Sequence, residues 1–143
     1  MTTKEIQDSI IDKYGKLDAM DLYDALIQLG KEHKPLSSEY RTEDSKVAGC
    51  QNNVWIVGEI QQKDLLVGQV QDNPIWTFKY DSDSAIVRGV LKLMFDVLNE
   101  RTTREINDLD LYFLVELGLD SLTGVGRTDG FRLIKQKIAT IVN

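Results

Sequence analysis

Apolar side chains recur at helical spacing through residues 3–30. Ile6, Ile10, Ile11 and Tyr14 share one face of a helix that Thr2-x-x-Glu5 opens as a capping box. Gly15 and Asp18 mark a break and a new cap. Leu22, Tyr23, Leu26 and Ile27 form a second stripe, and Gly30 stands where a helix C-terminus favours glycine. Residues 31–46, KEHKPLSSEYRTEDSK, are polar and contain Pro35. They hold too few apolar groups to pack inside, so they are expected to be a surface connector.

The period then shifts towards two. Val54-Trp55-Ile56-Val57 begins a strand-like run, Leu65, Leu66, Val67 and Val70 a second, and Ile75-Trp76-Thr77-Phe78-Lys79-Tyr80 a third. The turn candidates are QQKD at 61–64 and Asp72-Asn73-Pro74, so the three runs read as an antiparallel meander. Asp81-Ser82-Asp83-Ser84 supplies N-caps for a long, mostly buried helix, AIVRGVLKLMFDVLN, in which Gly89 lowers helix propensity and implies close packing. Thr102-x-x-Glu105 is a second capping box. Asp110 to Leu117 reads as a helix ended by Gly118, and Phe131, Ile134, Ile138 and Ile141 share a face of a last one. Helices, then strands, then helices predict an α+β fold: a small three-stranded antiparallel sheet with helices packed on it, as one domain over residues 1–143. Trp55 and Trp76 are expected in the core or part-buried on strands.

Composition narrows the chemistry. With 42% hydrophobic and 28% charged residues, the 143-residue chain has a globular make-up. A net charge of −6 and the lack of any Lys/Arg run argue against nucleic acid as the main partner. No apolar run is long enough to span a bilayer. The opening MTTKEIQDSIIDKYG lacks the basic start and apolar stretch of a secretory signal, so the expected location is cytoplasmic. There is one cysteine, Cys50, and one histidine, His33. A single thiol excludes an internal disulfide, a Cys-rich zinc site and an iron–sulfur cluster held by this chain's cysteines alone. Neither a Walker A run nor GxGxxG occurs.

Cys50 is therefore the centre of interest. Gly49 before it and Asn52-Asn53 after it favour a turn ahead of the first strand, and a thiol on a loop tip can reach into another protein's active site. Its nucleophilicity depends on the thiolate fraction, which a nearby cation such as Arg88 or Arg127 would raise. The alternative is a small buried hydrophobe. A thiol hydrolase needs a base beside the sulfur; the one histidine lies in the polar connector and reads as a solvated residue there. Asp81 and Asp83 lack further ligand spacing and read as helix caps rather than as a metal site. Residues 122–130, LTGVGRTDG, either frame an anion or turn the chain between helices.

Three segments carry a resemblance. VAGCQNNVWIV at 47–57, DSDSAIVRGV at 81–90 and LTGVGRTDGF at 122–131 resemble, in order and spacing, motifs of the SufE family of sulfur-acceptor proteins, over about residues 5–142. The third departs from the pattern by one extra residue between Thr123 and Arg127. The resemblance implies an α+β fold like that of the SufE and IscU-type proteins. It implies a SufS-like, pyridoxal-phosphate-dependent cysteine desulfurase as partner, with the cofactor on that partner and no cofactor or metal on this chain. Cys50 would accept sulfur as a persulfide, stimulate the desulfurase and deliver sulfur to an iron–sulfur scaffold complex. The family's acceptor cysteine is sheltered in the free protein and extended in the complex. Arg127 would stabilise the sulfur anion, and Asp83 and Arg88 would shape the loop pocket or the partner surface. A lone cysteine suits a carrier, because no second thiol can expel the carried sulfur. No stand-alone turnover is expected, and the protein would be a monomer or weak homodimer. Other readings stay open: a SufE-like partner of a different desulfurase feeding another sulfur pathway, a regulatory module that binds a desulfurase without transferring sulfur, and a stand-alone thiol enzyme.

Overall fold

The computed structural model describes residues 1–50, 52–61, 72–119 and 130–143. Its elements are α1 (Thr3–Tyr14), α2 (Ala19–Glu32), a short 3-10 turn (Ser38–Tyr40), β1 (Val54–Ile60), β2 (Ile75–Ser82), α3 (Ala85–Leu98), β3 (Arg101–Thr102), α4 (Thr103–Asp108), α5 (Tyr112–Glu116) and α6 (Gly130–Val142). Capping chemistry starts the helices where the sequence predicts. Thr2 Oγ1 accepts from Glu5 N at 3.0 Å while Thr2 N donates to Glu5 Oε1 at 3.2 Å. Thr102 and Glu105 repeat that exchange at α4, and Asp18 caps α2 through Asp21 N.

The core forms around α3, which buries residues on nearly every side, from Ile86 to Leu98. Leu22 and Leu26 of α2 and Ile10 and Tyr14 of α1 join it; Ile6, Ile11 and Ile27 lie at its margin, and Tyr23 is exposed. Gln7, polar within the α1 stripe, is also buried. Its amide donates to Asp110 O at 2.9 Å and accepts from Phe113 N at 3.2 Å, so α1 is fastened to α5 with no unpaired polar atom. Gly30 does not end α2, which runs on to Glu32. It lets α2 meet α3: a Cβ at Gly30 would lie 1.7 Å from Ala85 O, and one at Gly89 2.0 Å from Leu26 O. Gly118 follows α5 with a φ of 66°.

Among the described residues the sheet has three antiparallel strands in the order β1-β2-β3, and the third is one the sequence did not signal. β1 pairs directly with β2 from Val54↔Ser82 to Ile60↔Trp76. The third strand, Arg101–Thr102, pairs with Ile75 and Trp76. Two residues are too few to show a period, and Thr102 carries the stronger signal of the helix cap. The run at 65–70 and most of the turn candidate before it lie outside the described residues.

Trp76, Phe78 and Tyr80 alternate onto the sheet face that meets α3, where Phe95 lies 5.2 Å from the Phe78 ring and 4.7 Å from the Tyr80 ring. α6 covers β1 with Phe131, Ile134, Ile138 and Val142 buried and Ile141 part-buried against them. The connector crosses the opposite face, exposed over most of its length as expected. Among the described residues no helix is long and apolar enough to cross a membrane. Nor do the described residues hold a group of three His, Cys, Asp or Glu placed to bind a metal ion.

Candidate functional site

Cys50 sits at the tip of a loop whose two ends are fixed in the core. Val47 and Val54 are both buried, and Val47 N donates to Val54 O at 2.8 Å. Below that pair, Lys46 bridges Trp55 and Ile56 N donates to Ser45 O at 2.9 Å, so residues 45–47 cover the free edge of β1. Gly49 has a φ of 86°, a left-handed conformation that a side chain disfavours. A methyl group there would also stand 3.2 Å from Leu133 Cδ1 on α6. The reversal leaves Ala48 and Gly49 exposed and turns Cys50 partly inward, half-buried against the core.

The exit of the loop is held by Ser82 and Asp83. Asn53 N and Nδ2 donate to the two oxygens of the Asp83 carboxylate at 3.2 and 3.0 Å. Asn53 O accepts from Ser82 Oγ at 2.6 Å and from Asp83 N at 3.3 Å. Arg88, one turn into α3, braces this corner from behind: Nη1 donates to Ser82 O and Nε to Gly30 O, each at 2.9 Å. Asp83 and Arg88 thus each support the loop's exit, through Asn53 and Ser82 respectively. Among the described residues, neither makes a hydrogen bond or ion pair to the Cys50 sulfur. Arg127, Gln51 and the rest of the 122–129 motif lie outside the described residues.

Burial pushes the Cys50 thiol up from its ordinary range. In this position burial disfavours the thiolate further, and exposure would remove that penalty. His33 supplies no base here. It is not solvated as expected, its side chain being 16% exposed. Its Nε2 lies 2.9 Å from Tyr80 O, and its ring stacks on Tyr80 at 4.7 Å.

Asp81 is not a helix cap; Ser84 takes that role by accepting from Val87 N. Asp81 is 2% exposed and fastens the connector to the sheet. One carboxylate oxygen accepts from Leu36 N at 2.8 Å and from Arg41 Nη2 at 2.5 Å; the other accepts from Ser82 N at 2.8 Å. Arg41 also covers the Trp55 ring at 5.2 Å, leaving Trp55 part-buried, while buried Trp76 donates to Thr103 Oγ1 at 2.8 Å. The sequence signalled Asn53 only as a turn residue, because its partner is 30 positions away. Leu133 fell outside the stripe read for the last helix.

Comparison with known proteins identifies the family. A family model described as SufE, an Fe-S metabolism associated domain, matches residues 8–142. A SufE-like protein of Rhizobium etli is 33% identical over 133 residues, spanning 92% of this chain and 85% of the relative. Another, of Rhizobium meliloti, is 32% identical over 133 residues, spanning 92% and 90%. Neither name states a reaction.

Proposed function

The chain belongs to the SufE family, and from that membership we propose that Cys50 accepts sulfur from a cysteine desulfurase and passes it on for iron–sulfur cluster assembly. The observation that carries this reading is the position of the chain's one thiol, half-buried at the tip of a loop anchored at both ends.

The Cys50 thiolate attacks the outer sulfur of a persulfide on the desulfurase. One S–S bond forms as another breaks, the desulfurase cysteine leaves as a thiolate, and Cys50 carries the persulfide, with no net oxidation or reduction. Pyridoxal phosphate belongs to the desulfurase and supplies the carbon–sulfur cleavage there. This chain supplies a nucleophile and a shelter. Burial disfavours the thiolate in the free protein; movement of the loop into the partner's site would lift that penalty where the nucleophile is needed. Arg127 would stabilise the sulfur anion in that arrangement. Asp83 and Arg88 support the loop through Asn53 and Ser82. The reading places the protein in the cytoplasm, with a scaffold complex as recipient.

Desulfurase turnover of L-cysteine tests the reading. The protein should stimulate a cognate desulfurase, and Cys50→Ala should abolish the stimulation. Full stimulation by Cys50→Ala would instead indicate a regulatory module that does not transfer sulfur.

A further inference from the structure

The outer edge of β1 is covered along only part of its length. Ile56 N donates to Ser45 O at 2.9 Å and Val47 N donates to Val54 O at 2.8 Å, so the even-numbered residues of β1 turn their backbone groups away from β2. Gln61 N, at an odd position, donates inward to Ile75 O at 2.8 Å. Strand alternation carries that pattern to Gly58 and Ile60, whose N–H and C=O groups also point outward. Before Ser45 the chain folds back instead of following them: Ser45 Oγ donates to Tyr40 O at 2.6 Å, and Lys46 N donates to Thr42 O at 3.1 Å. Among the described residues nothing takes up the outward groups of Gly58 and Ile60. Such an edge is a template for another strand.

A groove of about 330 Å³ runs beside this open stretch, near the lower end of the range for ligand clefts. Gly58 lies between its walls: Lys137 and Ile141 of α6 on one side, and Glu39, Tyr40 and Asp44 of the connector on the other. Gly58 lets α6 close in, since a Cβ there would lie 2.4 Å from Ile141 Cγ2. A strand edge open beside a groove is the setting in which an extended peptide adds to a sheet. The carboxylates of Glu39 and Asp44 form no ion pair among the described residues. The nearby cations are engaged: Lys137 donates to the Asp44 carbonyl, and Lys79, beside Tyr40, pairs with Glu59.

We propose that the edge of β1 at Gly58 and Ile60 receives an extended, basic segment of a partner protein, which pairs as an added strand and sets Lys or Arg side chains against Glu39 and Asp44. A basic segment fits better than an acidic one because these two carboxylates have no cation of their own. Gly58 stands four residues along β1 from Val54, about 13 Å, so the held segment would lie near the base of the Cys50 loop. Any part it takes in sulfur transfer rests on the proposed function; binding of the segment does not.

The test uses the full-length chain and a fluorescein-labelled hexapeptide of alternating valine and lysine. Its anisotropy should rise on binding, and the same peptide with glutamate for lysine should bind on the order of tenfold more weakly. Glu39→Gln and Asp44→Asn should each weaken the basic peptide by about twofold to fivefold, the yield of an exposed ion pair. Ile60→Pro removes one outward N–H while sparing the bonds to β2, and should weaken binding by about twofold to tenfold. Amide exchange gives a second readout. In the free chain Gly58 and Ile60 should exchange faster than Val57 and Glu59, which face β2, and saturating peptide should slow them.

No anisotropy change up to about 1 mM basic peptide overturns the proposal. So does equal binding of the glutamate peptide, or binding untouched by all three variants. Slow exchange of Gly58 and Ile60 in the free chain would show the edge already paired and overturn it as well. Concentration-dependent dimerisation that Ile60→Pro abolishes would assign the edge to a second copy instead. A failure of sulfur transfer to Cys50 would leave all of these results standing, so the two readings fail separately.

Discussion

Where α2 crosses α3, each helix presents a glycine to the other's backbone, and adding one methyl group there should cost more than helix propensity returns. A Cβ at Gly30 would lie 1.7 Å from Ala85 O and one at Gly89 2.0 Å from Leu26 O, where real Cβ contacts essentially never fall below 3.0 Å. Both obstacles are main-chain carbonyls and cannot rotate aside. The helices would have to part by about 1 Å, loosening the Leu26, Val90 and Phe95 packing around the crossing; overpacking of this kind costs roughly 1–3 kcal/mol, sometimes more. Replacing an interior helical glycine by alanine returns up to about 1 kcal/mol. Gly30→Ala and Gly89→Ala should therefore each destabilise by roughly 1–2 kcal/mol, which lowers Tm by about 2–8 °C in a chain of this size. Urea unfolding followed by tryptophan fluorescence, at unchanged m, gives the value directly. The double variant should lose less than the sum, because a crossing opened for one methyl has room for the other. Either single variant matching or exceeding wild-type stability would refute the close-approach argument. The effect should also reach the Cys50 loop, since the Gly30 carbonyl accepts from Arg88, which braces Ser82.

Three further outcomes follow from the described contacts. Cys50 should react with alkylating agents along a pH curve centred above that of the same thiol in urea-unfolded chain, near roughly 8.5. Because folding raises this pKa, the stability linked to the thiol is complete below the unfolded value and declines as pH rises through it; a folded-state midpoint below the unfolded one would contradict the burial. Asp81→Ala leaves Leu36 N without its acceptor and Arg41 without its carboxylate, so stability in urea should fall by about 1–3 kcal/mol and proteases should cut the connector faster; an unchanged cleavage rate would count against Asp81 as its anchor. Glu100 holds a φ of 63° between α3 and β3, so Glu100→Gly should gain roughly 0.5–1 kcal/mol by thermal melting, and a loss would show that its side chain matters more than its backbone.

Much of this fold was legible where the physics is local. The two capping boxes, the α1 and α6 stripes and the positions of β1 and β2 follow from spacing alone, because patterns a few residues long decide them. Long-range partners decided the rest. Gly30 reads as a helix end until Ala85 is placed against it. Asp81 reads as a cap until Arg41 and Leu36, more than 35 positions away, turn to it. Gln7 looks solvent-facing until Phe113 and Asp110 use both ends of its amide. Cys50 could be singled out because it is the chain's one thiol and follows a glycine. Its half-buried state and its clasp through Asn53 depend on Asp83 and α6, which the local sequence does not mention.

The most direct test of the account is the intact mass of the protein after incubation with an active cognate cysteine desulfurase and L-cysteine, taken without reductant. The account predicts a gain of one or more sulfur atoms that reductant reverses and that Cys50→Ala lacks. An unchanged mass while the desulfurase turns over, or the same gain in Cys50→Ala, would contradict it.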